Sequence, residues 1–132
     1  MEIEKSDLID CHNRIKPFIH NTPVLTSTYI NKLTEAEVYF KCENFQKMGA
    51  FKMRGAANAI LRLSDEQKSN GVVTHSSGNH AQAISLAAKK IGVKAYIVMP
   101  SNAPKIKKEA VKGYGGVLIE CKSNLEAREA AA

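Results

Sequence analysis

The spacing of apolar residues changes twice along this chain. Over residues 6 to 19, Leu8, Cys11, Ile15, Phe18 and Ile19 recur every three to four positions, which predicts an amphipathic helix capped by Ser6 and kinked or ended by Pro17. Asn21-Thr22-Pro23 is a turn signal, after which the short apolar pair Val24-Leu25 leads into Thr26-Ser27-Thr28, a start for a helix through Leu33. Residues 38 to 43 alternate as a strand, with Val38, Phe40 and Cys42 on one face. A loop over 44 to 49 then delivers Phe51 and Lys52 to a helix running to about Leu63.

Beyond that point the pattern becomes regular. Val72-Val73-Thr74 reads as a strand, 79 to 91 as a helix, 95 to 99 as a strand, 104 to 112 as a helix and 117 to 120 as a strand. Within 104 to 112, Ile106, Ala110 and Val111 form the apolar side between solvated lysines. Gly113-Tyr114-Gly115-Gly116 follows a helix and precedes a strand, the wrong order for a phosphate cradle, and reads as a helix C-terminal turn. Ser123 and Glu126 are spaced as a capping box opening one more helix. Short, nearly continuous apolar strands alternating with helices predict an α/β fold: an open, mainly parallel sheet with helices on both faces. Ligands in such sheets bind at the carboxyl edge, where the loop from Ser76 to Asn79 falls.

Two stretches do not read as packing. Ala50-Phe51-Lys52-Met53-Arg54-Gly55-Ala56 puts a lysine at the mouth of a helix. If buried there, its charged form is disfavoured both by desolvation and by the positive helix end, which makes the amine a nucleophile for carbonyls. Thr74-His75-Ser76-Ser77-Gly78-Asn79-His80 ends a strand with small polar groups that lead into a helix, whose free N–H groups bind anions. Alone, F-K-x-R-G reads as a surface lysine and Ser77 as a helix cap; the pairing of the two motifs reverses both readings.

Phe51-Lys52-Met53-Arg54-Gly55-Ala56 and Ser76-Ser77-Gly78-Asn79-His80-Ala81-Gln82 resemble the lysine and asparagine-loop motifs of the serine/threonine dehydratase and serine racemase family. These are fold type II pyridoxal-phosphate enzymes, of the tryptophan-synthase β-like group. The likeness runs from about Asn21 to Lys122, and departs at Ala50, where the family usually has serine. It implies pyridoxal 5'-phosphate as cofactor, held by the amine of Lys52, with Lys52 also the base that removes the substrate α-proton. It places Ser77 as acid/base on the opposite ring face, Phe51 beside the ring and Asn79 on the cofactor's phenolic oxygen. Ser76, Ser77, Gly78, Asn79 and His80 would take the substrate carboxylate.

Family members are over twice as long, so the resemblance implies the N-terminal piece of a two-domain enzyme. Residues 1–63 would open the large domain and 64–132 would form an incomplete small domain, with the phosphate loop outside this stretch. The activity implied is an L-threonine or L-serine ammonia-lyase, removing the α-proton and the β-hydroxyl to give a 2-oxo acid and ammonia. Serine racemase is the alternative within the family, and a non-catalytic binding module lacking the phosphate loop is the alternative outside it. A homodimer or higher homo-oligomer is implied for the full-length enzyme.

Composition narrows the partners. With 44% apolar and 24% charged residues this is ordinary globular material, and the net charge of +6 is spread from Lys5 to Lys122 with no recognition motif, so no nucleic-acid partner is expected. Cys11, Cys42 and Cys121 are odd in number and far apart, which predicts neither a disulfide framework nor a metal site, and no second histidine stands at metal-ligand spacing from His80. The first residues lack an apolar signal region and no apolar run reaches membrane-span length, so no membrane partner and a cytoplasmic location are expected.

Overall fold

The computed structural model describes residues 2–132. A two-stranded antiparallel sheet pairs β1 (Val24–Thr26) with β2 (Tyr39–Lys41), and a three-stranded parallel sheet has the order β3 (Val72–His75), β4 (Ala95–Pro100), β5 (Val117–Cys121). The helices are α1 (Lys5–Ile15), α2 (Thr28–Thr34), α3 (Lys52–Leu61), α4 (Asp65–Asn70), α5 (Asn79–Ile91), α6 (Lys105–Gly113) and α7 (Leu125–Ala130).

β4 is the centre of the parallel sheet. Successive side chains of a strand point to opposite faces, and Ile97 and Val98 are both fully buried, so both faces of β4 are covered. Ala95, Ile97 and Met99 join the main core, which runs from Ile15 of α1 through Met53, Ala56, Ala57 and Ile60 of α3 and the alanines of α5 to Val111 of α6. Val98 is buried outside that cluster, on the face opposite. The small residues Ala81, Ala83, Ala87 and Ala88 let α5 lie close against α3, its most extensive helix partner.

Several elements differ locally from their sequence reading. α1 is capped by Glu4, whose N–H donates to Asp7 Oδ2 at 3.0 Å, rather than by Ser6. Leu8 faces solvent, while Ile15 and Ile19 are buried in the core and Cys11 and Phe18 pack against it. The 38–43 strand is shorter, and Cys42 leaves it to start a 3₁₀ turn, with Val24-Leu25-Thr26 as its antiparallel partner. The helix from Lys52 stops at Leu61, and Ser64 opens α4 through a capping box with Gln67. Ile106 stands exposed at the start of α6, where no neighbour reaches it, and Val111 alone of its apolar side is fully buried. α7 is capped by Asn124, whose side chain accepts from Ala127 N–H at 2.7 Å, one residue after Ser123. The glycine-rich stretch is a helix end: Gly115 takes φ +90° and Gly116 N–H donates to Val111 O at 2.9 Å.

Candidate active site

Lys52 is the first residue of α3, and Phe51 is the N-cap residue, with no side-chain cap hydrogen bond. Ala50, buried at 6% exposure, accepts from Met53 N–H, so the helix begins from a fixed backbone without a capping hydroxyl. Lys52 is exposed, so the desolvation that burial would bring is not imposed on it. Helical side chains lean toward the N-terminus, so the lysine at the first position projects past the end of α3, where no described element covers it. Its Nζ lies 5.1 Å from the centroid of the Phe51 ring, and it has no carboxylate partner among the described residues.

The close packing of α3 on α5 brings the two motifs together. Phe51, Lys52, Arg54, Gly55 and Ala56 line a pocket whose far wall is His80, in the first turn of α5. His80 has its pKa below the ordinary histidine value, first because the pocket wall desolvates the ring and second because the Lys52 cation is close. Ser76, Ser77 and Asn79 stand at the carboxyl end of β3, as the loop position predicts, but do not line that pocket. The cap of α5 is Gly78, not Ser77, and it supplies no side-chain acceptor. Ser76 Oγ accepts from Gly78 N–H at 3.3 Å, while the Ser77 hydroxyl has no hydrogen-bond partner among the described residues. The first-turn amides of α5 are thus left for an external anion.

A second set of residues was not legible as part of the site. Arg54, two positions after Lys52, donates from Nε to Glu43 Oε2 at 2.8 Å and from Nη2 to Glu43 Oε1 at 2.7 Å. Thr22 Oγ1 donates to the same Oε1 at 2.5 Å, and Lys41 Nζ donates to Thr22 O at 2.7 Å. The fork from Arg54, opposed by partial burial and aided by the Thr22 hydroxyl, holds the Glu43 pKa at about 2. Gln46 next to it is bonded both ways to the His20 backbone, at 2.7 and 2.9 Å. Only the presence of arginine inside the lysine motif hinted at this. A carboxylate eleven residues away in a loop carries no periodic signal.

The profile described as pyridoxal-phosphate dependent enzyme matches residues 15–132. The chain belongs to that family. It is 57% identical over 123 residues to a serine racemase of Dictyostelium discoideum, covering 93% of this chain and 38% of that protein. The crystal structure of serine racemase from that organism superposes with a TM-score of 0.91, over 95% of this chain and 41% of the other. A beta-hydroxyaspartate dehydratase of Paracoccus denitrificans is 53% identical over 93% of this chain and 39% of that protein. A crystal structure of a T.th. threonine deaminase stands further off, at 38% identity and a TM-score of 0.85, over 98% of this chain and 41% of the other. This pyridoxal-phosphate-dependent chain therefore spans about two fifths of the length of the relatives it matches. Its fold is that of the fold type II enzymes, and no described helix is long and apolar enough to cross a membrane.

The residues present fit the cofactor's chemistry. An amine without a carboxylate partner stands beside an aromatic face, next to a pocket wall, and an uncapped helix N-terminus lies at the adjoining sheet edge.

Proposed function

We propose that the protein to which this chain belongs removes the α-proton of a small β-hydroxy amino acid, L-serine first, on one side and delivers a proton to Cα from the other: a serine racemase. The observation that carries this is the placement of Lys52, exposed and without a carboxylate partner in a pocket with Phe51 and His80, within a chain 57% identical to a serine racemase. The sequence reading put an L-threonine or L-serine ammonia-lyase first. Racemases at 57% identity against a threonine deaminase at 38% favour reversing that order.

Pyridoxal phosphate, when bound, supplies a conjugated ring that takes up the negative charge left at the substrate Cα. Lys52 Nζ is the group that holds the cofactor and takes the α-proton. The Ser77 hydroxyl, unengaged by any described partner, is the proton donor and acceptor on the other side. The backbone N–H groups of Asn79 and His80 at the start of α5, with Ser76, Ser77 and Gly78 beside them, bind the substrate carboxylate and so orient the Cα–H bond. Asn79 contributes a neutral side-chain donor that does not titrate, suited to the ring's phenolic oxygen. His80, whose pKa is lowered by desolvation and by the Lys52 cation, forms the wall of the pocket facing Lys52.

A second reading is β-elimination to a 2-oxo acid and ammonia, favoured by the 53% identity to a hydroxyaspartate dehydratase. It uses the same proton removal. The division near residue 63, the homodimer and the cytoplasmic location belong to the same proposal.

Borohydride reduction after incubation with pyridoxal phosphate, followed by peptide mapping, tests the site: a pyridoxyl adduct on Lys52, absent in Lys52→Ala, is expected. Chiral chromatography of L-serine incubations and a 2-oxo acid assay then separate racemase from lyase. A full-length protein that leaves Lys52 unmodified refutes the reading. A protein that modifies Lys52 but yields neither D-serine nor 2-oxo acid is left with the binding-module alternative.

A further inference from the structure

We infer that Glu43, with Thr22 and Arg54, is a positioning device for the Lys52 amine: the fork to Arg54 sets the rotation of the first turn of α3 and thereby the direction in which Lys52 leaves it. This rests on Lys52 being the cofactor lysine.

The start of α3 has a buried backbone anchor at Ala50 but no side-chain cap. Its N-cap residue, Phe51, makes no side-chain cap bond. The turn before it contains two successive left-handed residues, Met48 at φ +55° and Gly49 at φ +74°, so the chain reverses sharply just upstream. Lys52 itself has no hydrogen bond or ion pair among the described residues, so its direction comes from its neighbours. Two neighbours are held. Met53 is fully buried in the core, and Arg54 is bound by both of its engaged nitrogens to one carboxylate.

That carboxylate is in turn an anchor rather than a mobile surface acid. Glu43 accepts the Thr22 hydroxyl, Thr22 is 4% exposed, and its carbonyl carries Lys41 Nζ. Three residues on, buried Gln46 ties the same loop to His20. Consecutive helical residues are about 100° apart, so Lys52 and Arg54 lie on nearly opposite sides of the first turn. A fork fixed on one side therefore aims the other. Lysine in place of Arg54 keeps the charge but not the two-point grip, which is why charge and geometry separate in an experiment.

The test compares wild type with Glu43→Gln and Arg54→Lys in the full-length protein. Pyridoxyl trapping at limiting pyridoxal phosphate is read on Lys52 against Lys112, and amide exchange is read over 50–56 against 81–88. Both variants are expected to lower trapping on Lys52 at least about tenfold, since a misplacement of about 1 Å can cost roughly a hundredfold. Lys112 trapping and exchange over 81–88 stay unchanged, while 50–56 exchanges faster. A merely structural ion pair would lower the melting temperature and leave the Lys52-to-Lys112 ratio where it was; that outcome overturns the inference, as does an Arg54→Lys variant that traps like wild type. If Glu43→Gln is unfolded by circular dichroism, Thr22→Val, which removes one hydroxyl, carries the same comparison. If wild-type Lys52 is not trapped, the cofactor reading fails; the exchange data then decide alone whether the fork fixes the turn, unchanged exchange over 50–56 overturning it.

Discussion

Gly116→Ala is predicted to destabilise the fold sharply, although Gly116 does not have positive φ and the substitution adds one methyl group. Gly116 opens the approach to β5 where that strand closes against α5 and α6. A Cβ built there lies 2.4 Å from Ser85 Oγ, 2.9 Å from Val111 Cγ1 and 3.0 Å from Ile97 Cγ1. All three partners are fully buried, so none can swing into solvent. Ser85 Oγ also donates to Ala81 O at 2.8 Å, and turning it aside leaves a buried hydroxyl unpaired, at about 1–3 kcal/mol. Overpacking a filled core costs a further 1–3 kcal/mol or so. The expected loss is about 3 kcal/mol, read as a lower urea midpoint at unchanged slope and a melting point lower by roughly 10 °C. Ser85→Ala removes the nearest obstacle, so the double variant should recover about 1 kcal/mol relative to additivity. A Gly116→Ala protein within about 0.5 kcal/mol of wild type, or strict additivity with Ser85→Ala, would refute the packing argument.

The Glu43 carboxyl titrates near 2 in the fold against 4.5 as its ordinary value, so its contribution of about 3 kcal/mol is complete above roughly pH 4.5 and is lost as pH falls through 2. Urea midpoints between pH 6 and 2 should show an acid limb that flattens in Glu43→Gln; an unaltered limb sinks the assignment. Lys52→Ala should raise the His80 pKa partway toward 6.5, because the cation is the second cause of the shift and burial the first; imidazole proton shifts in an NMR titration check this, and no rise contradicts it. Ser64→Ala breaks the capping box of the six-residue α4 and should cost about 1 kcal/mol by urea unfolding, with no change in Lys52 trapping.

The sequence by itself determined the elements whose cause is local. The apolar stretch from Ala95 to Met99 makes a parallel strand buried on both faces, while the β-branched pair Val72-Val73 makes an edge strand, with Val72 turned toward the core and Val73 half exposed. The residues after Val72 lead into α5 through a glycine turn whose position is written in the chain. Lys52 and the loop from Ser76 to His80 were legible for the same reason: a nucleophile at a helix start and small polar residues before another helix are local arrangements.

What the tertiary structure alone decided are relations across distance. Alternation marked the strand around Tyr39–Lys41, but its antiparallel pairing with Val24–Thr26, only three residues long, is a relation between segments that no local period carries. That Lys52 is exposed was likewise decided by the fold, because burial depends on what lies beyond the helix end, which no periodicity records. The fork from Arg54 to Glu43 joins residues in a helix and a loop whose separation matches neither a turn of helix nor a strand repeat. Its bonds are set by how the segment around Thr22 folds back over residues 41 to 47, and only the assembled chain brings them within reach.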